Sequence, residues 1–126
     1  MHAFRAAVEA RDHAAMVAAM APDAKLYSPV AHRPFDGRDA VAGVFSALLE
    51  VFEDFSYSDE LADGDTVVLQ FHARVGDKQL QGIDWLRLDD DGLISELTVM
   101  IRPLSGIMAL GEAMAPRVEG LAKGAA

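Results

Sequence analysis

Apolar positions change their spacing along the chain, and each change predicts a different element. Phe4, Ala7, Val8 and Arg11 follow helical spacing, and Asp12 is placed to cap a second short helix with Ala15, Met16, Ala19 and Met20 as its apolar stripe. Pro22 is expected to end that helix. Ala24 to Val30 (AKLYSPV) then reads as a short strand, with Pro29 at its edge or end because proline has no amide donor. After the loop AHRPFDG, the positions Val41, Val44, Phe45, Leu48, Leu49 and Phe52 recur every three or four residues, which predicts one amphipathic helix over Arg38–Phe52. Asp36 or Gly37 can cap it, and Asp39 in its first turn meets the positive end of the helix dipole.

The second half has the period of strands. Three turn signals, Asp63-Gly64-Asp65, Gly76-Asp77 and Asp90-Asp91-Gly92, separate extended segments over Phe55–Ala62, Thr66–Val75, Lys78–Asp89 and Leu93–Arg102. This order predicts an antiparallel meander, stopped by Pro103. Leu104, Ile107, Met108, Gly111, Met114, Val118 and Leu121 then resume helical spacing before a loose tail, GLAKGAA, from about Gly120. The expected class is α+β, with helices packed on a curved antiparallel sheet to enclose a small apolar pocket, and a single domain over residues 1–126.

Composition narrows the function. A chain with 20 Asp and Glu against 11 Lys and Arg, net −9, repels a phosphate backbone, so nucleic acid is not an expected partner. No uncharged apolar run approaches the ~18 residues of a membrane span, so no membrane partner is expected either. Arg5, Glu9, Arg11 and Asp12 interrupt the start where a secretion signal needs an apolar stretch, and cysteine is absent. A cytoplasmic location is the expectation. His2, His13, His32 and His72 lack the paired spacing of a metal site, and there is no nucleophile elbow or phosphate-cradling glycine loop, so no cofactor is expected.

Strand alternation supplies the candidate chemistry. Val67, Leu69, Phe71, Ala73 and Val75 share one face of their segment, with Val68, Gln70, His72 and Arg74 opposite. In the next segment Leu80, Gly82, Asp84, Leu86 and Leu88 share a face, with Gln81, Ile83, Trp85 and Arg87 opposite. Asp84 is therefore a carboxylate on an apolar stripe, where lost solvation raises its pKa into the range of a general acid or base. The alternatives are a bulge that turns Asp84 to solvent, or an ion pair with Arg102 or Arg74. Tyr27 and His32 flank the turn after the first strand and are candidate catalytic partners of Asp84; alternatively, Tyr27 is a core aromatic and His32 a solvated loop residue. Arg102 is a candidate to neutralise a substrate carboxylate or enolate, or else a salt-bridge partner. The expected ligand-binding set is Phe45, Leu49, Phe52, Phe71, Leu86, Met100, Arg102 and Met108, with Leu48 and Met114 as further apolar lining.

The order of elements, together with VEARDHAAMVAAMAPDAKLYSPV, HRPFDGRDAV, GIDWLRLDDDGLISEL and VMIRPLSG, resembles the nuclear transport factor 2-like superfamily in its SnoaL-like and ketosteroid isomerase-like branches. The resemblance covers nearly the whole chain and implies a cystatin-like curved sheet closed into a cone. It also implies that Asp84 in GIDWLRLD matches the pocket-facing acid used by some SnoaL-like enzymes, and that copies pair through the sheet face around Trp85 as a homodimer. Two departures are visible. The first helix, around Phe4 and Val8, has no tyrosine of the kind ketosteroid isomerases use as an oxyanion donor. The last strand, LISELTVMIRP, supplies Arg102 but not the Asp-Arg-Asp set of the fold's epoxide hydrolases. The functions in view are a cofactor-independent isomerase, cyclase or dehydratase acting on a small hydrophobic molecule, a non-catalytic binder of such a molecule, and a protein-interaction domain.

Overall fold

The computed structural model describes residues 1–119 of the chain. Two short helices come first, α1 (Ala3–Glu9) and α2 (His13–Ala18). Each is capped by a side chain: His2 Nδ1 accepts from the Phe4 amide at 3.0 Å, and the Asp12 carboxylate accepts from the Ala15 amide at 3.1 Å. The chain continues through β1 (Met20–Tyr27), β2 (Phe35–Asp36), α3 (Arg38–Val51), β3 (Glu53–Asp63), β4 (Thr66–Val75), β5 (Lys78–Leu88), β6 (Ile94–Arg102) and α4 (Leu104–Val118). No helix among the described residues is long and apolar enough to cross a membrane.

One sheet collects the strands in the order β2-β1-β6-β5-β4-β3. The predicted meander is its backbone: β3, β4, β5 and β6 pair antiparallel in chain order. The sheet is not antiparallel throughout, because β1 lies parallel to β6, with Leu26 opposite Leu97 and Tyr27 opposite Thr98. A parallel neighbour needs a long crossover, and here the path from β1 to β6 runs through α3 and the whole meander. The loop AHRPFDG holds the short edge strand β2, whose Phe35 pairs with Leu26.

Several boundaries differ from the sequence expectation. The second helix ends at Ala18, and Met20 and Pro22 belong to β1, which stops at Tyr27 rather than reaching Val30. Pro22 sits where the β1–β6 register shifts between Met20 and Lys25, so its missing amide falls at an irregularity and costs no ladder bond. Of the two caps expected for α3, the structure uses Gly37, at φ 95°, a conformation that favours glycine, while Asp36 is in β2. Strand β3 begins at Glu53, earlier than Phe55, with register shifts between Glu53 and Ser56 and between Tyr57 and Asp59. Leu121 and the tail from Gly120 lie outside the described residues.

Burial follows the predicted alternation. Val67 and Leu69 on β4 and Leu86 on β5 are buried in one core with Val41, Val44 and Phe45 of α3 and Leu110 of α4, while Phe71, Ala73 and Leu80 form a second buried cluster and Asp84 is buried on the same face of β5 as Leu80 and Leu86. The outer face keeps Gln70, Ile83 and Met100 in one row and Val68, Trp85 and Thr98 in the next. Bulges at both ends of the sheet and a glycine near its centre allow it to curl around the helices. Gly82 pairs with Phe71 on one side and Ile101 on the other, and a Cβ built there would lie 2.5 Å from Phe71 Cζ and 2.5 Å from the Met100 carbonyl oxygen. The Phe71 ring takes the space a side chain would fill. Gly82→Ala is therefore expected to cost about 1–3 kcal/mol of stability through overpacking, read as a lower urea midpoint, whereas Gly92→Ala, with open space around it, should lose stability only through its φ of 79°.

Candidate functional site

The curved inner face and the helices leave a cavity of about 520 Å³. Its walls are mostly apolar: Phe45, Leu48 and Leu49 from α3, Phe55 from β3, Phe71 from β4, and Leu110 and Met114 from α4 contribute to it. Polar side chains are few. Glu9, Arg11, Ser28 and Asp54 line it at exposed or partly exposed positions, and Tyr57 and Asp84 meet inside it. Arg11 and Asp54 both hold left-handed backbone, at φ 54° and 53°. Arg11 donates to the Leu49 carbonyl at the end of α3, and Asp54 pairs with Arg74 at 3.1 Å.

Asp84 is 8% exposed and is the one charged residue type in the described core. Its position follows from the pleat: Leu80, Gly82 and Leu86 bury the same face of β5, and Asp84 is carried in with them. Leu69 on β4 and Val99 on β6 stand opposite it. The Tyr57 hydroxyl donates to Asp84 Oδ2 at 2.7 Å. Loss of water is the dominant effect and raises the Asp84 carboxyl to about 7, with the Tyr57 hydrogen bond pulling back the other way. Tyr57 is pushed up as well, first by burial and then by the Asp84 charge. Neither Arg74 nor Arg102 is the partner. Arg74 is held by Glu53 and Asp54, and Arg102 reaches Gln81 at 3.3 Å on the outer side of the sheet.

Around this contact the aromatic rings pack closely. Phe55 stacks on Phe71 with centroids 5.0 Å apart and meets Tyr57 edge-on at 4.9 Å, while Phe52 lies 5.5 Å from Phe55. Arg5 of α1 places its guanidinium 5.8 Å from the Tyr57 ring centroid, and is itself held by Glu9 at 2.7 Å and Glu60 at 3.4 Å. The tyrosine is fixed from both sides.

The structure brings together Asp84, Phe45, Leu49, Phe52 and Phe71 from the predicted set, with Leu48 and Met114. It separates the others. Tyr27 does not line the cavity: its neighbour Leu26 does, and the two alternate, so Tyr27 falls on the outer row with Thr98 and Trp85. His32 is exposed in the loop before β2 and does not line the cavity. Leu86 is fully buried behind the wall, Met100 is 50% exposed on the outer face, Arg102 is exposed there too, and Met108 is 58% exposed on α4. Sequence reading missed Tyr57. The available signal was the Phe55-Tyr57 alternation, which places both rings on one face of β3, opposite Phe71 of β4. Among the described residues no group of three or more His, Asp or Glu side chains is arranged to hold a metal.

The profile of the SnoaL-like domain matches residues 1–97. The chain belongs to the SnoaL-like family. Solved structures place this SnoaL-like domain among ketosteroid isomerase-like proteins of cystatin-like fold. It is 44% identical to a steroid delta-isomerase from Pseudomonas aeruginosa, with 98% of this chain and 90% of that one covered and a TM-score of 0.86. A protein of cystatin-like fold from Silicibacter pomeroyi is 30% identical, with 96% and 86% covered and a TM-score of 0.88. A de novo designed protein with a curved β-sheet shares the fold at a TM-score of 0.68 and 16% identity, over 86% of this chain and 92% of that one. No curated protein matches the sequence.

The raised carboxyl has a consequence for stability. The folded protein keeps a proton on Asp84 up to about pH 7, whereas the unfolded chain releases it near pH 4. Folded molecules bind more protons in that window, so this residue's contribution falls as pH rises from about 4 to about 7 and is flat above. Asp84→Asn, which keeps an acceptor for Tyr57, should therefore be more stable than the parent at pH 8 by about 1–3 kcal/mol, and the difference should close toward pH 5. Urea unfolding of both proteins across that range measures it.

Proposed function

We propose that this SnoaL-like domain is a cofactor-independent acid–base catalyst of the isomerase type, moving a proton on a small apolar ketone bound in the cavity. The observation that carries this reading is the buried Asp84 carboxyl, hydrogen-bonded to Tyr57 at 2.7 Å on the wall of an otherwise apolar chamber. The 44% identity to a protein named as a steroid delta-isomerase supports the reaction class.

The chemistry follows from the contact. Ionised Asp84 removes a proton from a carbon next to the ketone; the C–H electron pair forms a carbon–carbon double bond, and the carbonyl electrons move onto oxygen as an enolate. Once protonated, Asp84 is a weak acceptor and releases the Tyr57 hydroxyl. That hydroxyl then turns its proton toward the enolate oxygen, in a site without bulk water where such a bond counts most. Asp84 returns its proton to a different carbon of the conjugated system, and the double bond has moved. Its carboxyl near 7 suits both halves, because it is basic enough to take a proton and acidic enough to give it back. The apolar walls hold the substrate and exclude water. Tyr57 is the hydroxyl beside Asp84, and no tyrosine stands on α1; this single donor is what favours the second reading, a binder of the same molecules without turnover.

The test is conversion of an unconjugated steroid enone to its conjugated isomer, followed by ultraviolet absorbance. kcat/KM should rise with pH along one limb centred near 7, as Asp84 ionises. Asp84→Asn should lose about a thousandfold or more, and Tyr57→Phe roughly tenfold to a thousandfold, mostly in kcat. Saturable binding of the enone without turnover at any pH would leave the binder.

We further propose that two copies pair through the outer sheet face. Leu61, Val68 and Trp85 form an apolar row there, next to Ile83 and Met100, with Trp85 37% and Met100 50% exposed. Arg87 and Glu96 flank it 4.0 Å apart with about half of each exposed, so a two-fold axis can set each against its opposite in the second copy. Sedimentation should give a dimer for the parent and a monomer for Trp85→Lys; a parent that sediments as a monomer at all concentrations refutes the pairing.

A further inference from the structure

The site has a second property that proton transfer does not use. Asp84 Oδ2 accepts from Tyr57, but Oδ1 accepts no hydrogen bond from any described residue, and no described Lys, Arg or His forms an ion pair with this carboxyl. A carboxylate out of water without a counter-charge is costly, and the cost is relieved by any cation that can enter. The nearby cations are engaged elsewhere. Arg5 lies over the Tyr57 ring but is held by Glu9 and Glu60, and Arg11 donates to the Leu49 carbonyl.

The titratable and charged groups facing this space are Tyr57 and Asp54 of β3, Glu9 of α1 and Arg11 of the following turn; the wall residues from α3, β4, β6 and α4 are apolar or uncharged. Glu9 and Asp54 are paired with Arg5 and Arg74, so among the described wall residues Asp84 is the carboxylate without a cationic partner, within a protein of net charge −9. The rings of Phe52, Phe55, Tyr57 and Phe71 gather at the same end, with neighbouring centroids between 4.9 and 6.4 Å apart. Aromatic faces carry partial negative charge and attract cations, most strongly where water is excluded.

We propose that the cavity is selective for lipophilic ammonium ions, with the cationic head between Asp84 and the aromatic rings and the apolar body along α3 and α4. The inference rests on the reading of the cavity as a ligand site, but not on turnover. A quaternary or tertiary ammonium is weakly hydrated and so loses little on entering. It supplies the charge Asp84 lacks, and its alkyl groups match the walls. Such a compound holds Asp84 ionised and unable to accept a proton, so it competes with the ketone.

The experiment compares phenyltrimethylammonium with tert-butylbenzene, which have the same shape and differ in charge, by titration calorimetry and competition. Neither compound titrates, so any pH dependence belongs to the protein. The ammonium ion should bind at least tenfold tighter than its neutral twin at pH 8, and its affinity should drop roughly tenfold between pH 8 and pH 6 as Asp84 takes up a proton. Asp84→Asn should bind both alike at either pH. Phe55→Leu, which removes the ring but stays apolar, should weaken the ammonium about two- to fivefold more than it weakens tert-butylbenzene. Equal affinities at pH 8, or a preference that survives in Asp84→Asn, overturns the inference while leaving the isomerase reading intact. Failure of both compounds to bind overturns it together with the cavity as a ligand site. Ammonium selectivity in a protein that turns over no enone upholds this inference and removes only the catalytic reading.

Discussion

A carboxylate held out of water has to be compensated, and the contact between Tyr57 and Asp84 is where this fold does so. Asp84 is carried inward by the pleat of β5, because Leu80, Gly82 and Leu86 bury the same face. Turning it outward would need a one-residue slip, which would expose those side chains along with it. Compensation therefore has to come from within, and Tyr57 provides it across two strand widths at 2.7 Å. The single hydrogen bond is partial: it lowers the carboxyl, but burial outweighs it, and the group is left near 7. An arginine in the same place would hold the carboxylate firmly ionised and make it a poor proton acceptor. In the proposed isomerase, reactivity comes from incomplete compensation.

The geometry that permits this is the curvature of the sheet. Gly82, with the Phe71 ring lying over it, makes room at the centre of the concave face, and the bulges in β1 and β3 bend the two sides. Helices α3 and α4 close over the concavity without filling it. A designed protein with a curved sheet shares this architecture at 16% identity, so the cone is a solution to packing that carries no particular chemistry. Function enters through the few polar groups on the wall. The proposed isomerase chemistry and the proposed ammonium binding draw on the same Asp84 carboxyl in different ways, one needing it to exchange a proton and the other needing it to stay charged.

Much of the fold was legible because it is local. The three-and-four spacing of Val41, Val44, Phe45, Leu48 and Leu49 defined α3, and glycine-aspartate turns fixed the limits of β4 to within its observed ends. The errors fell where a local rule met a tertiary one. Proline is a helix breaker by itself, but Pro22 is accommodated within β1 at a bulge beside β6, a neighbour that is about 70 residues away in sequence. Likewise, the parallel pairing of β1 with β6 has no signature in either strand.

For the site, strand alternation alone determined that Asp84 faces inward among apolar side chains, because a period of two is a property of the chain and needs no partner. It could not determine what Asp84 meets. Tyr57 was hidden because the contact depends on the register of β3 on β4 and of β4 on β5, with a register shift beside Tyr57 itself. Tyr27 and His32 attracted attention by being close to a predicted turn, yet Tyr27 follows Leu26 by one residue and so takes the opposite face. The sequence by itself determined which side of each strand is dry and that one carboxylate is on it. Only the tertiary structure decided its partner, its missing counter-charge and the space in front of it, because these arise between elements that the chain brings together from far apart.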